Sequence, residues 1–153
     1  MKQNTPLALA GLAALLLSFG AHAQEQTQAQ PKLPTIQLNA DIHNIPTEVA
    51  RTPDQRATGM MFRTTMGTND AMLFVFEEPN VQCFWMKNTL VPLSAAFIKD
   101  DGTIANIADM KPQTTDSHCS TEPERYVLEM NQGWFAKRGV KAGSKLRGAP
   151  FTK

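Results

Sequence analysis

The chain has 153 residues, room for one ordinary domain, with 15 Lys and Arg against 14 Asp and Glu, 42% hydrophobic and 19% charged residues. That composition describes a globular protein and excludes an acidic tail or a disordered linker. The near-even charge lacks the basic surplus needed to neutralise a phosphate backbone or to hold an anionic membrane surface, so nucleic acid is not an expected partner.

Lys2, the apolar run Leu7–Leu17 and the exit Ala21-His22-Ala23 predict a cleavable signal peptide over 1–23, cut between Ala23 and Gln24. The run is shorter than the roughly 20 apolar residues that cross a bilayer. No later run is long enough either, so no membrane span is expected after processing, and the product is expected to be periplasmic or secreted. Without Lys2 the charge balance is even. Residues 24–34, polar and Gln-rich with Pro31 and Pro34, read as a flexible linker. The folded domain is then 35–150.

Within the domain, 35–39 alternates as a strand, and 42–50 is a second whose Pro46 places it at an edge or bulge. Thr52-Pro53-Asp54-Gln55 predicts a helix start: Thr caps, Pro suits the first turn, and Gln closes a capping box. Gly59 should end that helix. The apolar run 71–76 predicts a strand covered on both faces, and Glu77-Glu78-Pro79-Asn80 predicts a hairpin into a strand over 81–86. A strand over 90–98 turns at Asp101-Gly102 into another over 103–108. Residues 109–124 form a long polar loop, 125–130 a strand, 132–138 a short helix stopped by Gly139, and 145–147 a last strand. Many short strands, two short helices and no repeat predict a mainly β (α+β) fold, a compact antiparallel β-barrel-like domain.

The strings Gly59-Met-Met-Phe-Arg63, Met72-Leu-Phe-Val-Phe76, Phe84-Trp-Met-Lys-Asn-Thr89, Pro92-Leu93 with Phe97-Ile98, and Arg125-Tyr-Val-Leu-Glu129 resemble the DUF192 family. These small bacterial and archaeal domains have no assigned activity, and many look exported. The resemblance spans Gly59 to Leu146 and implies a compact, mostly β fold, but no reaction, substrate or cofactor. The family often carries Asp after the Pro-Leu pair, where this chain has Ser94.

Cys83 and Cys119, in an exported chain with two cysteines, predict one disulfide. Closing a loop of about 37 residues contributes on the order of 4 kcal/mol in the chain-entropy model. A redox pair is the alternative, but no C-x-x-C is present. With His22 in the signal peptide, only His43 and His118 remain, too few for a Ser-His or Cys-His constellation or a hydrolytic zinc site. A Cu(I) site of methionines with His118 is weighed against methionine as core filler, and the core role is preferred. No metal and no cofactor is therefore expected.

The polar residues embedded in apolar strings are the candidate site: Arg63, Trp85, Lys87 and Asn88, with Glu129. A Trp beside a cation and an amide suits a small polar ligand. The competing expectation is scaffolding, with Arg63 or Lys87 paired to Glu129 and Asn88 serving a sharp turn. The leading expectation is a ligand- or partner-binding module of the cell envelope. The alternatives are an envelope enzyme with an unidentified acid/base pair, or an assembly factor presenting the 109–124 loop to another envelope protein. A concave pocket holding a carboxylate or Lys87 with a perturbed pKa would favour the enzyme, and a solid, pocketless barrel would exclude it.

Overall fold

The structure is a computed structural model and describes residues 27–151. The expected signal peptide over 1–23 and the first residues of the expected linker lie outside the described residues. Among the described residues, nine strands and two short helices follow in the order β1 (Thr35–Ala40), β2 (His43–Ala50), α1 (Pro53–Thr58), β3 (Ala71–Asn80), β4 (Cys83–Phe84), β5 (Leu93–Ile98), β6 (Ile104–Met110), β7 (His118–Cys119), β8 (Glu124–Asn131), α2 (Trp134–Lys137) and β9 (Leu146–Arg147).

Seven strands form one sheet in the order β6-β5-β8-β3-β2-β1-β9. It curls into a half-barrel whose two edges approach at a bridge between Thr103 and Lys145. Mainly β, barrel-like and carrying two short helices, the architecture is the expected one. One strand pair departs from the antiparallel rule: β2 and β3 run parallel. The crossover between them is made through α1 and the 59–70 segment, as parallel neighbours require. The expected hairpin between 71–76 and 81–86 is not made. β3 continues through the Glu77–Asn80 turn residues, with a register shift between Val75 and Asn80 that ends beside Glu124 of β8. β4 instead pairs with β7 as a separate two-stranded ribbon.

The local chemistry that starts α1 is as expected. Gln55 N donates to Thr52 Oγ1 at 3.2 Å and Thr52 N donates to Gln55 Oε1 at 3.1 Å, a reciprocal capping box.

Both faces of the central strands are apolar. Side chains alternate along a strand, so Leu73 of β3, Leu128 of β8 and Ile98 of β5 point into the half-barrel with Leu38, Ile45 and Phe135. Met72 and Phe74 of β3, Val127 of β8 and Leu93, Ala95 and Phe97 of β5 form a second cluster on the outer face with Met60 and Met86. That outer face lies under α1, the segment after it and the β4–β7 ribbon. A disulfide joins Cys83 to Cys119 across the ribbon, with their Cα atoms 4.0 Å apart. Gln82 anchors the ribbon: its N donates to Ser120 Oγ, its carbonyl accepts from Ser120 N, and its Nε2 donates to Glu124 O.

Part of the segment expected as a linker contacts the domain. Gln30 Nε2 donates to the carbonyls of Gln55 and Gly59, and Leu33 N donates to Glu48 Oε2. The methionines weighed as copper ligands are mostly core: Met60, Met72, Met86, Met110 and Met130 are buried.

Candidate functional site

The outer face of the sheet carries two acids on one cross-strand row. Glu48 of β2 stands opposite Met72 of β3, Met72 opposite Glu129 of β8, and Glu129 opposite Ala95 of β5. At about 4.8 Å per strand, the acids' backbones are about 10 Å apart. Both are buried, with 7% and 4% of their surface exposed.

Glu48 is fully served. Arg63 closes a two-pronged pair on it, Nη1 to Oε1 at 2.6 Å and Nη2 to Oε2 at 2.8 Å, and Leu33 N adds a third donor at 2.8 Å. Burial opposes ionisation of Glu48, but the Arg63 and Leu33 hydrogen bonds outweigh it and hold the carboxyl below its usual range. The pair with Glu48 raises Arg63 in turn, against the cost of its burial.

Glu129 has none of this. Its Oε2 is buried without a hydrogen-bond partner, and no ion pair reaches it among the described residues. Burial pushes its pKa up to about 8, and the field of Arg63 offsets only part of that. The expected pairing of Arg63 or Lys87 with Glu129 is therefore corrected: Arg63 reaches the nearer acid, Glu48, and is used up there.

Glu129 forms part of the lining of a cavity of about 340 Å³. Arg56, Ala57 and Thr58 of α1 and Gly59, Met60 and Met61 after it form one wall. Phe74 and Phe76 of β3 form another, and Gln82, Cys83, Phe84, Trp85 and Thr89 complete it. The aromatic walls are fixed by edge-to-face contacts, Phe74 to Phe84 at 4.8 Å and Phe84 to Phe97 at 6.2 Å between ring centres. Gly59 can approach Phe74 because it has no side chain: its φ is +49°, and a Cβ there would sit 3.0 Å from Phe74 Cζ.

Of the five sequence-predicted residues, the cavity brings together Trp85 and Glu129. Trp85 is 51% exposed. Lys87 is outside the lining, its Nζ lying 5.8 Å from the centre of the Trp85 ring. Asn88 serves the backbone: at φ +58° it forms a turn, and its carbonyl accepts from Phe62 N at 2.9 Å, a conformation Asn tolerates better than most residues. Phe74, Phe84, Met60 and Thr58 are lining residues that the sequence reading missed. The even-numbered side of Met72-Leu-Phe-Val-Phe76 was the available signal for the first of them.

Among the described residues one other buried carboxyl oxygen lacks a partner, Glu124 Oε1, but Glu124 is not among the lining residues of this cavity. A second cleft of about 490 Å³ is lined by Ser94, Asp109, Phe135 and the 139–142 segment. Its buried polar group is satisfied: Ser94 Oγ donates to Asp109 Oδ1 at 2.5 Å and accepts from Gly133 N at 2.9 Å. His43 packs edge-on against Trp134, and His118 pairs with Phe84 in the ribbon, so neither histidine lines the Glu129 cavity. Among the described residues no cluster of three or more His, Cys, Asp or Glu is arranged to hold a metal ion, and no helix is long and apolar enough to cross a membrane.

Residues 35–148 match a family described as an uncharacterized ACR, DUF192. Two solved structures are similar over most of the chain. One, from Sinorhizobium meliloti 1021 and described as a candidate transcription regulator, is 36% identical with a TM-score of 0.73, covering 78% of this chain and 98% of its own. The other, a protein of unknown function from Novosphingobium aromaticivorans DSM 12444, is 33% identical with a TM-score of 0.73, covering 76% of this chain and 86% of its own. No curated protein matches the chain.

Proposed function

We propose that this protein, which belongs to the DUF192 family, is an exported binding module that holds a small ligand in the cavity between α1, β3 and the β4–β7 ribbon. One observation carries the reading. A buried carboxyl oxygen with no partner borders a concave, aromatic-lined space, although buried polar atoms are normally hydrogen-bonded. A ligand that supplies the missing partner recovers that cost on binding. The cavity volume lies within the ordinary range for small-molecule sites. Export is supported by the signal-peptide pattern at the start of the sequence and by the Cys83–Cys119 bridge, which belongs to oxidising compartments.

The enzyme reading has one observation in its favour, since a carboxyl whose pKa lies near 8 can exchange protons close to neutral pH. The lining residues include no histidine and no second acid, so binding is the better-supported function. Direct DNA contact, as the Sinorhizobium meliloti relative's description invites, needs a basic surplus that 15 cations against 14 anions do not supply.

The test is native mass spectrometry of the protein taken from its own compartment, with Glu129→Leu beside the wild type. A retained small molecule is expected on the wild type and absent from Glu129→Leu. Equal retention by both would place the ligand elsewhere, and an empty wild type that no member of a small-molecule panel stabilises would end the binding reading.

A further inference from the structure

The charges around the cavity discriminate between head groups. Arg56 faces it from α1, and Lys87, outside the lining, has its Nζ 5.8 Å from the centre of the Trp85 ring. Arg63 and Glu48 form a closed pair and add little net charge. The strands on either side of Glu129 place Met72 and Ala95 opposite it, both uncharged.

Arg56 Nη1 is held by the carbonyls of Arg51 and Val75, and its guanidinium lies 5.0 Å from the centre of the Phe76 ring. Those carbonyls fix the guanidinium without neutralising it, and no carboxylate reaches it within ion-pair distance among the described residues. Lys87 makes no ion pair among them either. Two of the aromatic rings that could attract a ligand cation, Phe76 and Trp85, are thus already faced by protein cations. A ligand ammonium would meet the like charge of Arg56 there, whereas an anionic head would meet an opposite charge and a carboxyl able to donate.

Resting on the reading of this cavity as a ligand site, we infer that its ligands are small carboxylates with an aromatic or branched apolar body. The head group accepts a hydrogen bond from the Glu129 carboxyl and faces the Arg56 guanidinium, and the body packs against Phe74 and Phe84. Burial keeps a proton on Glu129 up to about pH 8, so the acid has one to donate at neutral pH. A simple ligand carboxylate, ionised above about pH 5, carries none. Above the Glu129 midpoint each binding event must take up a proton, and the affinity falls about tenfold per pH unit.

Three probes with one body separate the head groups: phenylacetate, phenylacetamide and 2-phenylethylamine, titrated calorimetrically against the full chain from pH 6 to 9.5. Phenylacetate is expected to bind tightest, and to weaken by about tenfold or more between pH 8 and 9.5. Arg56→Gln should weaken phenylacetate by about tenfold while moving phenylacetamide by less than about threefold, a gap of one charge contact. Glu129→Gln should remove the pH dependence. Tightest binding by 2-phenylethylamine, with affinity rising with pH, would overturn the carboxylate class and leave the cavity standing as a site. Equal binding of all three probes without pH dependence would also overturn it. Binding of none, at any pH, would remove both this inference and the binding reading beneath it. Should Arg56→Gln fail to fold, the wild-type pH profile and Glu129→Gln decide alone.

Discussion

Glu48 and Glu129 lie on one row of one sheet, about 10 Å apart and buried to nearly the same degree, yet their surroundings are opposite. Glu48 receives three hydrogen bonds, two of them from an arginine. Glu129 keeps an oxygen with no partner and opens on a cavity. Burial alone therefore does not decide what a buried acid does. At Glu48 the 59–66 segment and the chain before β1 bring donors, and the carboxylate becomes a clamp holding that segment to the sheet. At Glu129 the covering ribbon brings aromatic rings and a disulfide but no donor, and the acid is left for a ligand.

The contrast can be broken from either side. Its largest expected effect comes from the cover over Glu129. Replacing Cys83 and Cys119 together by Ser should cost on the order of 4 kcal/mol in urea unfolding. It should also loosen the ribbon enough to lower the Glu129 pKa while leaving Glu48 unmoved, as paired titrations would read. Next is the Glu48 side. Arg63→Met strands a buried carboxylate and should cost about 3 kcal/mol, near the low end for a broken buried pair because both groups keep a little solvent contact. Glu48 would then move up toward the behaviour of Glu129.

Glu129→Gln works in the opposite direction. The folded protein binds the Glu129 proton more tightly than the unfolded chain does. The unfolded acid ionises as pH rises from about 4.5 while the folded one stays protonated to about 8, so this group makes stability fall with rising pH across that window. Glu48, held low, contributes the reverse: its stabilisation is present at neutral pH and lost as the solution is acidified through its folded pKa. Relative to the wild type, Glu129→Gln should gain stability between pH 5 and pH 8.5, a difference that denaturation at the two pH values measures. The smallest expected effect is Trp85→Ala. With half of its surface in solvent, it should shift stability by less than about 1 kcal/mol while weakening any ligand that packs on it.

The locally encoded features were legible in the sequence. The Thr52–Gln55 capping box, the turn at Asp101-Gly102 and the apolar run of β3 each follow from a few adjacent residues, and each is found where expected. What required the fold was long-range. The parallel pairing of β2 with β3 is set by how the α1 crossover packs, which no local pattern states. Turn residues at Glu77–Asn80 predicted a hairpin, but β8 offers β3 a partner beyond the turn and the strand continues. At the site, alternation separated Trp85 from Phe84, and their exposures agree, yet the choice Arg63 makes between two acids on one row could not be read. That choice depends on where the 59–66 segment lands, and it determines which acid is left to bind.

The most direct measurement is a side-chain carboxyl ¹³C NMR titration following Glu48 and Glu129 in one sample. Glu129 is expected to titrate near pH 8 and Glu48 below the usual glutamate range. If Glu129 instead titrated together with the exposed glutamates, the carboxyl would already be served by water or protein, and its role as an unmet partner for a ligand would be contradicted.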